Sequence, residues 1–199
     1  PAVGGLVLNA RDITDRKHMD DLLLHQANHD ELTGLPNRRR MLDLLTQTLQ
    51  RNSGTTTVSA LLIDIDNFKE INDSLGHAFG DRLLVAIAAR LTGLLDPGDA
   101  AARIGGDEFV VAFERAHGEK PTTDLCEHIL TTLSAPFIIE GRELSVTASA
   151  GLAFDHDRSN SAELLLQNAD TAMYKAKGLG KRQVVVFESF MHTATFDRL

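Results

Sequence analysis

Two acids in this chain sit where a strand should not carry them. Asp64 closes the apolar run "VSALLIDID" (58–66), and Asp107 lies in Gly105-Gly106-Asp107-Glu108, a turn wedged inside "LLDPGDAAARIGGDEFVVAF" (94–113). If the two short strands flanking that turn pair beside 58–64, both carboxylates emerge near one end of a sheet. Two hard oxygen ligands and a backbone carbonyl, for which Ile65 is placed, make a Mg²⁺ site with room left for phosphates. Asp66 and Glu108 add negative charge nearby, and such crowding is costly unless a cation resolves it. The competing reading keeps all four acids as solvated loop residues.

The neighbouring residues also carry two readings each. Gly105 and Gly106 either supply the positive φ of a tight hairpin or, by lacking Cβ, let a phosphate or ribose approach the backbone. In "DNFKEINDSLGHAFGD" (66–81), a polar stretch punctuated by glycine, Lys69 is either a surface residue or a point charge for a phosphate. Asn72 is likewise either a surface residue or a reader of a base edge. Asp81 is either a helix N-cap or a carboxylate accepting from guanine's N1–H and exocyclic amine together. Lys177 and Lys181 either complement a helix C-terminus or clamp a triphosphate tail.

The elements that must position these residues follow from the hydrophobic pattern. Residues 58–66 are apolar on both alternating faces (Val58, Ala60, Leu62 against Leu61, Ile63, Ile65), as in a strand covered on both sides. Asn37 caps a helix from Arg38 to about Gln50, and a second helix runs from Asp81 to Leu95. A hairpin turns at 105–108, with strands at 101–104 and up to Phe113. A helix covers 121–133, a second hairpin pairs 137–139 with 143–153, Ser161 caps a helix bearing Leu165, Ala169, Ala172, Met173 and Ala176, and "QVVVF" is the last strand. Hairpins mixed with crossovers predict an α+β fold with a central, mostly antiparallel sheet flanked by helices.

Composition bounds the function. A formal net charge of −8 argues against a nucleic-acid-coating surface, so an anionic ligand must be held by a local cluster of bases and a metal. No apolar run is long enough to span a bilayer, which predicts no membrane contact from this segment. One cysteine, Cys126, excludes an internal disulfide and any zinc site built from several cysteines, and it reads as a buried structural thiol in a cytoplasmic protein. His25, His29, His77, His117, His128, His156 and His192 show no pairing at metal-ligand spacing and read as structural or surface residues. The chain begins without Met and is expected to be a fragment of something longer.

"RIGGDEFVV", "DIDNFKEINDSLGHAFGD", "DELTGLPNRR" and "ADTAMYKAKGLGK" together resemble the GGDEF domain of diguanylate cyclases. The resemblance implies a fold like the nucleotidyl cyclase and polymerase palm. It implies condensation of two GTP into cyclic di-GMP with release of two pyrophosphates, one GTP per subunit of a two-fold homodimer. By position, Asp64, the Ile65 carbonyl, Asp107 and Glu108 would hold Mg²⁺ or Mn²⁺, with Asp107 also the base for the attacking 3′-hydroxyl. Asn72 and Asp81 match the guanine-reading positions. Phe68, Lys69, Lys177 and Lys181 match phosphate contacts, the last often Arg in the family.

The flanks resemble familiar neighbours of that domain. Residues 1–14 look like the end of a PAS sensor, 15–28 like a signalling helix, 29–188 like the GGDEF domain, and 189–199 like the start of a helix towards an EAL phosphodiesterase domain. The parent would then be a PAS–GGDEF–EAL protein, attached to a membrane, if at all, outside this segment. An alternative is a GTP-binding module that regulates the attached phosphodiesterase and turns over little itself. A blander one is a dimerisation and relay element. Many family members carry an inhibitory Arg-x-x-Asp before the signature. Here it reads "DPGD", with Asp99 retained and Asp96 in place of the arginine, so product inhibition at this position is not expected.

Overall fold

The structure is a computed structural model that describes residues 25–52, 54–116, 119–156 and 161–191. The expectations for 1–14, and for most of 15–28 and 189–199, fall outside the described residues. In chain order the elements are α1 (Arg38–Arg51), β1 (Thr57–Ile65), α2 (Phe68–Leu75), α3 (His77–Thr92), β2 (Ala100–Arg103), β3 (Glu108–Arg115), α4 (Glu119–Leu133), β4 (Phe137–Ile139), β5 (Arg142–Leu144), β6 (Ala148–Asp155), α5 (Ala162–Gly178) and β7 (Val184–Val186). No described helix is long and apolar enough to cross a membrane.

β1 is the middle of a five-stranded sheet in the order β2–β3–β1–β6–β7. Every pairing is antiparallel except that of β6 with β7, so the sheet is mostly antiparallel, as the hairpin spacing predicts. The double apolar alternation of β1 has the expected cause. Leu61, Ile63 and Ile65 face a core shared with α3 and α4, including Phe79, Leu83, Ile87 and Ile129. Val58, Ala60 and Leu62 face a second core with Met41, Leu45, Leu165, Ala169 and Met173 from α1 and α5. Cys126 is fully buried in the first core, and burial pushes its thiol up to about 12. Asn37 and Ser161 cap α1 and α5 by accepting from the Arg40 and Leu164 N–H groups.

Three local readings need correction. The stretch after Asp66 is not a loop leading to a helix at Asp81: it holds α2, and α3 begins at His77. Phe68, Ile71 and Leu75 supply a helical face that the intervening polar residues hide. Gly76, at φ 88°, makes the corner, donating to Asn72 O at 2.8 Å and capping α3. Asp81 therefore lies inside α3 and is not its N-cap. Finally, 143–153 is not one strand: β5 pairs with β4 in a separate ribbon, and β6 belongs to the main sheet.

At Gly151, β6 and α5 pack backbone against backbone. A Cβ on Gly151 would overlap the Ala169 carbonyl oxygen and the Met173 nitrogen, both backbone atoms of α5. Side-chain rearrangement cannot relieve such an overlap. Gly151→Ala is expected to destabilise the fold by about 3 kcal/mol, the upper end of overpacking costs. Chemical denaturation of the variant beside the wild-type chain checks this.

Candidate functional site

Strand parity builds the acidic corner. Asp64 pairs with Glu108 in the β1–β3 register, and the Ile65 N–H donates to Asp107 O at 3.2 Å. Asp64 and Glu108 are even-numbered, like Leu62 and Val110, so they follow these residues onto the α5 face. From α5, Lys177 Nζ reaches Asp64 Oδ2 at 2.6 Å. Burial pushes the Asp64 carboxyl above its usual range. Lys177 opposes that shift, while Asp107 and Asp66 add to it. Burial, then Asp64, Asp170 and Asp107, push Glu108 up as well, with Lys177 a weaker opposing influence.

Asp66 has a different job. Ser149 Oγ and Thr147 Oγ1 donate to it at 2.7 and 2.8 Å, and it is buried as a structural carboxylate joining β1 to the start of β6.

Among the described residues no group of three or more His, Cys, Asp or Glu is arranged to grip a metal ion. The donor set still fits a hard divalent cation. Asp64, Asp107 and Glu108 offer only oxygens, outnumber the single lysine that meets them, and are partly withdrawn from water.

The glycines of the turn do not act through backbone dihedrals. Neither Gly105 nor Gly106 has a positive φ, which overturns the hairpin explanation for them. A Cβ on Gly105 would come within 2.5 Å of Glu108 Oε2, so this glycine makes room for the carboxylate. The space beside Gly106 is open, with nothing within 4 Å of where its Cβ would be.

What holds the turn is an arginine that spacing did not single out. Arg103 Nε and Nη2 donate to Gly106 O at 3.2 and 2.7 Å, while Nη1 bonds both oxygens of Asp30 at 3.0 Å. Burial pushes Asp30 up, but the Thr33 hydroxyl and N–H and Arg103 outweigh it and hold the carboxyl below its usual range. Asp30 and Arg103 are 73 residues apart, and no local pattern joins them. The available signal was an arginine just before the two glycines and an acid in the "DELTGLPNRR" block.

The remaining predicted residues line the start of α2 and its contact with α3. Asn67, left-handed at φ 59°, is bonded by Lys181 Nζ at 2.6 Å, so the two predicted lysines tie the end of α5 to Asp64 and to the entrance of α2. Phe68 is buried and Lys69 exposed on the first turn of α2, whose leading N–H groups have no intrahelical acceptor. Asn72 Oδ1 is buried and has no hydrogen-bond partner among the described residues. It lies against Gly80, one residue before the exposed Asp81. In the "DPGD" loop, Arg115 bonds both oxygens of Asp99 at 2.6 Å and Asp96 at 3.3 Å. The Asp99 side chain is fully buried, consumed as a staple of its own loop.

The raised value of Glu108 predicts a pH signature. Its folded-state pKa lies above the ordinary 4.5, so ionisation costs stability that is absent below that value and fully felt above the raised one. Glu108→Gln is expected to raise the melting temperature of the metal-free chain near neutral pH, with the gain vanishing as pH falls below the ordinary glutamate value. Thermal melts of both proteins across that range check it.

The family profile described as "Diguanylate cyclase, GGDEF domain" matches residues 27–183. The chain is 34% identical over 194 residues to "Cyclic di-GMP phosphodiesterase PdeR" of Escherichia coli K12, covering 98% of this chain and 29% of that protein. It is 40% identical over 157 residues to "Diguanylate cyclase TpbB" of Pseudomonas aeruginosa PAO1, covering 78% of this chain and 36% of that one. It thus spans about a third of the length of these relatives. A solved structure comprising only the GGDEF domain of TpbB superposes with a TM-score of 0.80 at 35% identity, covering 84% of this chain and 99% of that one. The coiled coil and GGDEF domain of DgcB from Caulobacter crescentus, solved in complex with c-di-GMP, gives 0.79 at 27% identity, covering 88% and 93%. The palm-like α+β expectation agrees with these neighbours.

Proposed function

This chain belongs to the GGDEF family of diguanylate cyclases, and we propose that two copies, each holding one GTP, face each other and condense the nucleotides into cyclic di-GMP. The observation that carries this reading is the acidic corner: Asp64, buried beside Asp107 and Glu108, with Lys177 as the cation that meets it. Asp64, the Ile65 carbonyl, Asp107 and Glu108 are the groups that would hold Mg²⁺ or Mn²⁺. Such an ion, when bound, supplies charge neutralisation at the α-phosphate and acidifies the attacking hydroxyl.

The chain's own residues do the rest. Lys69, Lys177 and Lys181, with the N–H groups at Phe68 and Lys69, bind the triphosphate, and Lys177 and Lys181 exchange their present partners for phosphate oxygens. Asn72 and Asp81 read the guanine edge. Gly106 gives the nucleotide close access to the backbone, and Gly105 leaves space for Glu108. In the reaction, each 3′-hydroxyl oxygen bonds to the α-phosphorus of the facing nucleotide. The α–β anhydride bond breaks, pyrophosphate leaves, and Asp107 takes the hydroxyl proton.

A second reading, a GTP-binding module that governs an attached EAL phosphodiesterase, draws on kinship with a protein named as a phosphodiesterase. Incubation with GTP and a divalent cation, followed by an assay for cyclic di-GMP, separates the two. Product formation is expected, whereas GTP binding without product favours the regulatory module. Asp107→Ala is expected to lower turnover by about a hundredfold or more while leaving the melting temperature close to wild type. Persistent turnover would remove Asp107 from the chemistry.

The consumption of Asp99 by Arg115 supports a second expectation. Added cyclic di-GMP should leave the initial rate of the cyclase unchanged, because the retained acid has no free oxygen for the product and Asp96 repels its phosphates. Titration calorimetry with cyclic di-GMP checks this, and tight binding that disappears in Asp99→Asn would refute it.

A further inference from the structure

We infer that Gly80 is the positioning residue that lets Asn72 address the base, an inference that rests on the guanine-reading assignment above. Gly80 is buried in the first turns of α3, and its φ is not in the left-handed region. Nothing in its backbone demands glycine, and a glycine inside a helix is less favourable than alanine. What demands it is space. A Cβ at position 80 would overlap Asn72 Oδ1 and come within 3.0 Å of Asn72 Cγ and 3.1 Å of Phe68 Cζ.

The amide of Asn72 therefore lies over α3 only because position 80 has no side chain. In that place its Oδ1 is buried and without a hydrogen-bond partner among the described residues. No hydrogen bond among the described residues fixes this oxygen, so the space at position 80 is what sets where the amide lies. Asp81, the next residue on α3, is exposed. A methyl group at 80 would rotate the amide away from it. The obstacles are the far ends of two side chains, chiefly the Asn72 amide and more loosely the Phe68 ring, so the helix itself should accept alanine while the Asn72 amide is displaced.

The test is a double-mutant cycle on the 199-residue chain, reading GTP affinity, preference for GTP over inosine triphosphate (which lacks the exocyclic amine), and melting temperature. Gly80→Ala is expected to weaken GTP binding about tenfold, the scale of one lost hydrogen bond. It should also narrow the preference for GTP and keep or raise the melting temperature. In the Asn72→Ala background the same substitution should change nothing further. If Gly80→Ala leaves GTP affinity unchanged, weakens binding equally in both backgrounds, or lowers the melting temperature in step with affinity, the inference is overturned. If Asn72→Ala alone binds GTP as the wild type does and with the same preference, the base-reading assignment fails, and this inference falls with it.

Discussion

The close approach of α5 to β6 at Gly151 is the constraint on which the site depends. Because α5 connects two parallel strands, β6 and β7, it runs back along the direction of β1. Gly151 pairs with Leu62 in the β1–β6 register and lies under Ala169 to Met173 of the helix. From Leu62 to Asp64 the strand advances about 6.6 Å. From Met173 to Lys177 the helix advances about 6 Å on one face. Backbone contact at the glycine thus delivers Lys177 to the carboxylate of Asp64 with almost no slack, and a helix held farther off would leave the acid unmet.

The charge arrangement follows from that contact. Three carboxylates gather where β1 ends and β3 begins; Lys177, in the last turn of α5, meets Asp64, and Lys181, just beyond that helix, meets Asn67 at the mouth of α2. The chain as a whole is negative, with a net charge of −8, and so is the corner by itself, where three carboxylates outnumber the lysine that meets them. Packing holds Lys177 within hydrogen-bond distance of Asp64, so the one cation that meets these acids is fixed in place by the fold.

Much of this was legible in the sequence, for reasons that can be named. β1 showed itself through its double alternation, the caps at Asn37 and Ser161 through residue type, and the acidic corner through one assumption, that the hairpin pairs beside β1. What escaped was of two kinds. α2 was concealed because Phe68, Ile71 and Leu75 are only three apolar residues among polar ones, and their glycine boundary looks like a loop. The Asp30–Arg103–Gly106 bridge escaped because its members meet through the third dimension, with no periodicity to announce them. The turn glycines carried two readings, and the structure removes one: neither has a positive φ, while Gly105 leaves room for Glu108 and the space beside Gly106 is open.

The sheet's outline has a consequence for how copies of this chain can meet. Its long inner strands are bordered by β2, of 4 residues, and β7, of 3. Such short borders offer few unpaired N–H and C=O groups, and they give a foreign strand little to extend. Self-association by a continuous hydrogen-bonded ladder, the route to aggregation, is thereby discouraged at both margins. Any contact between copies is left to side chains and loops, which can part again.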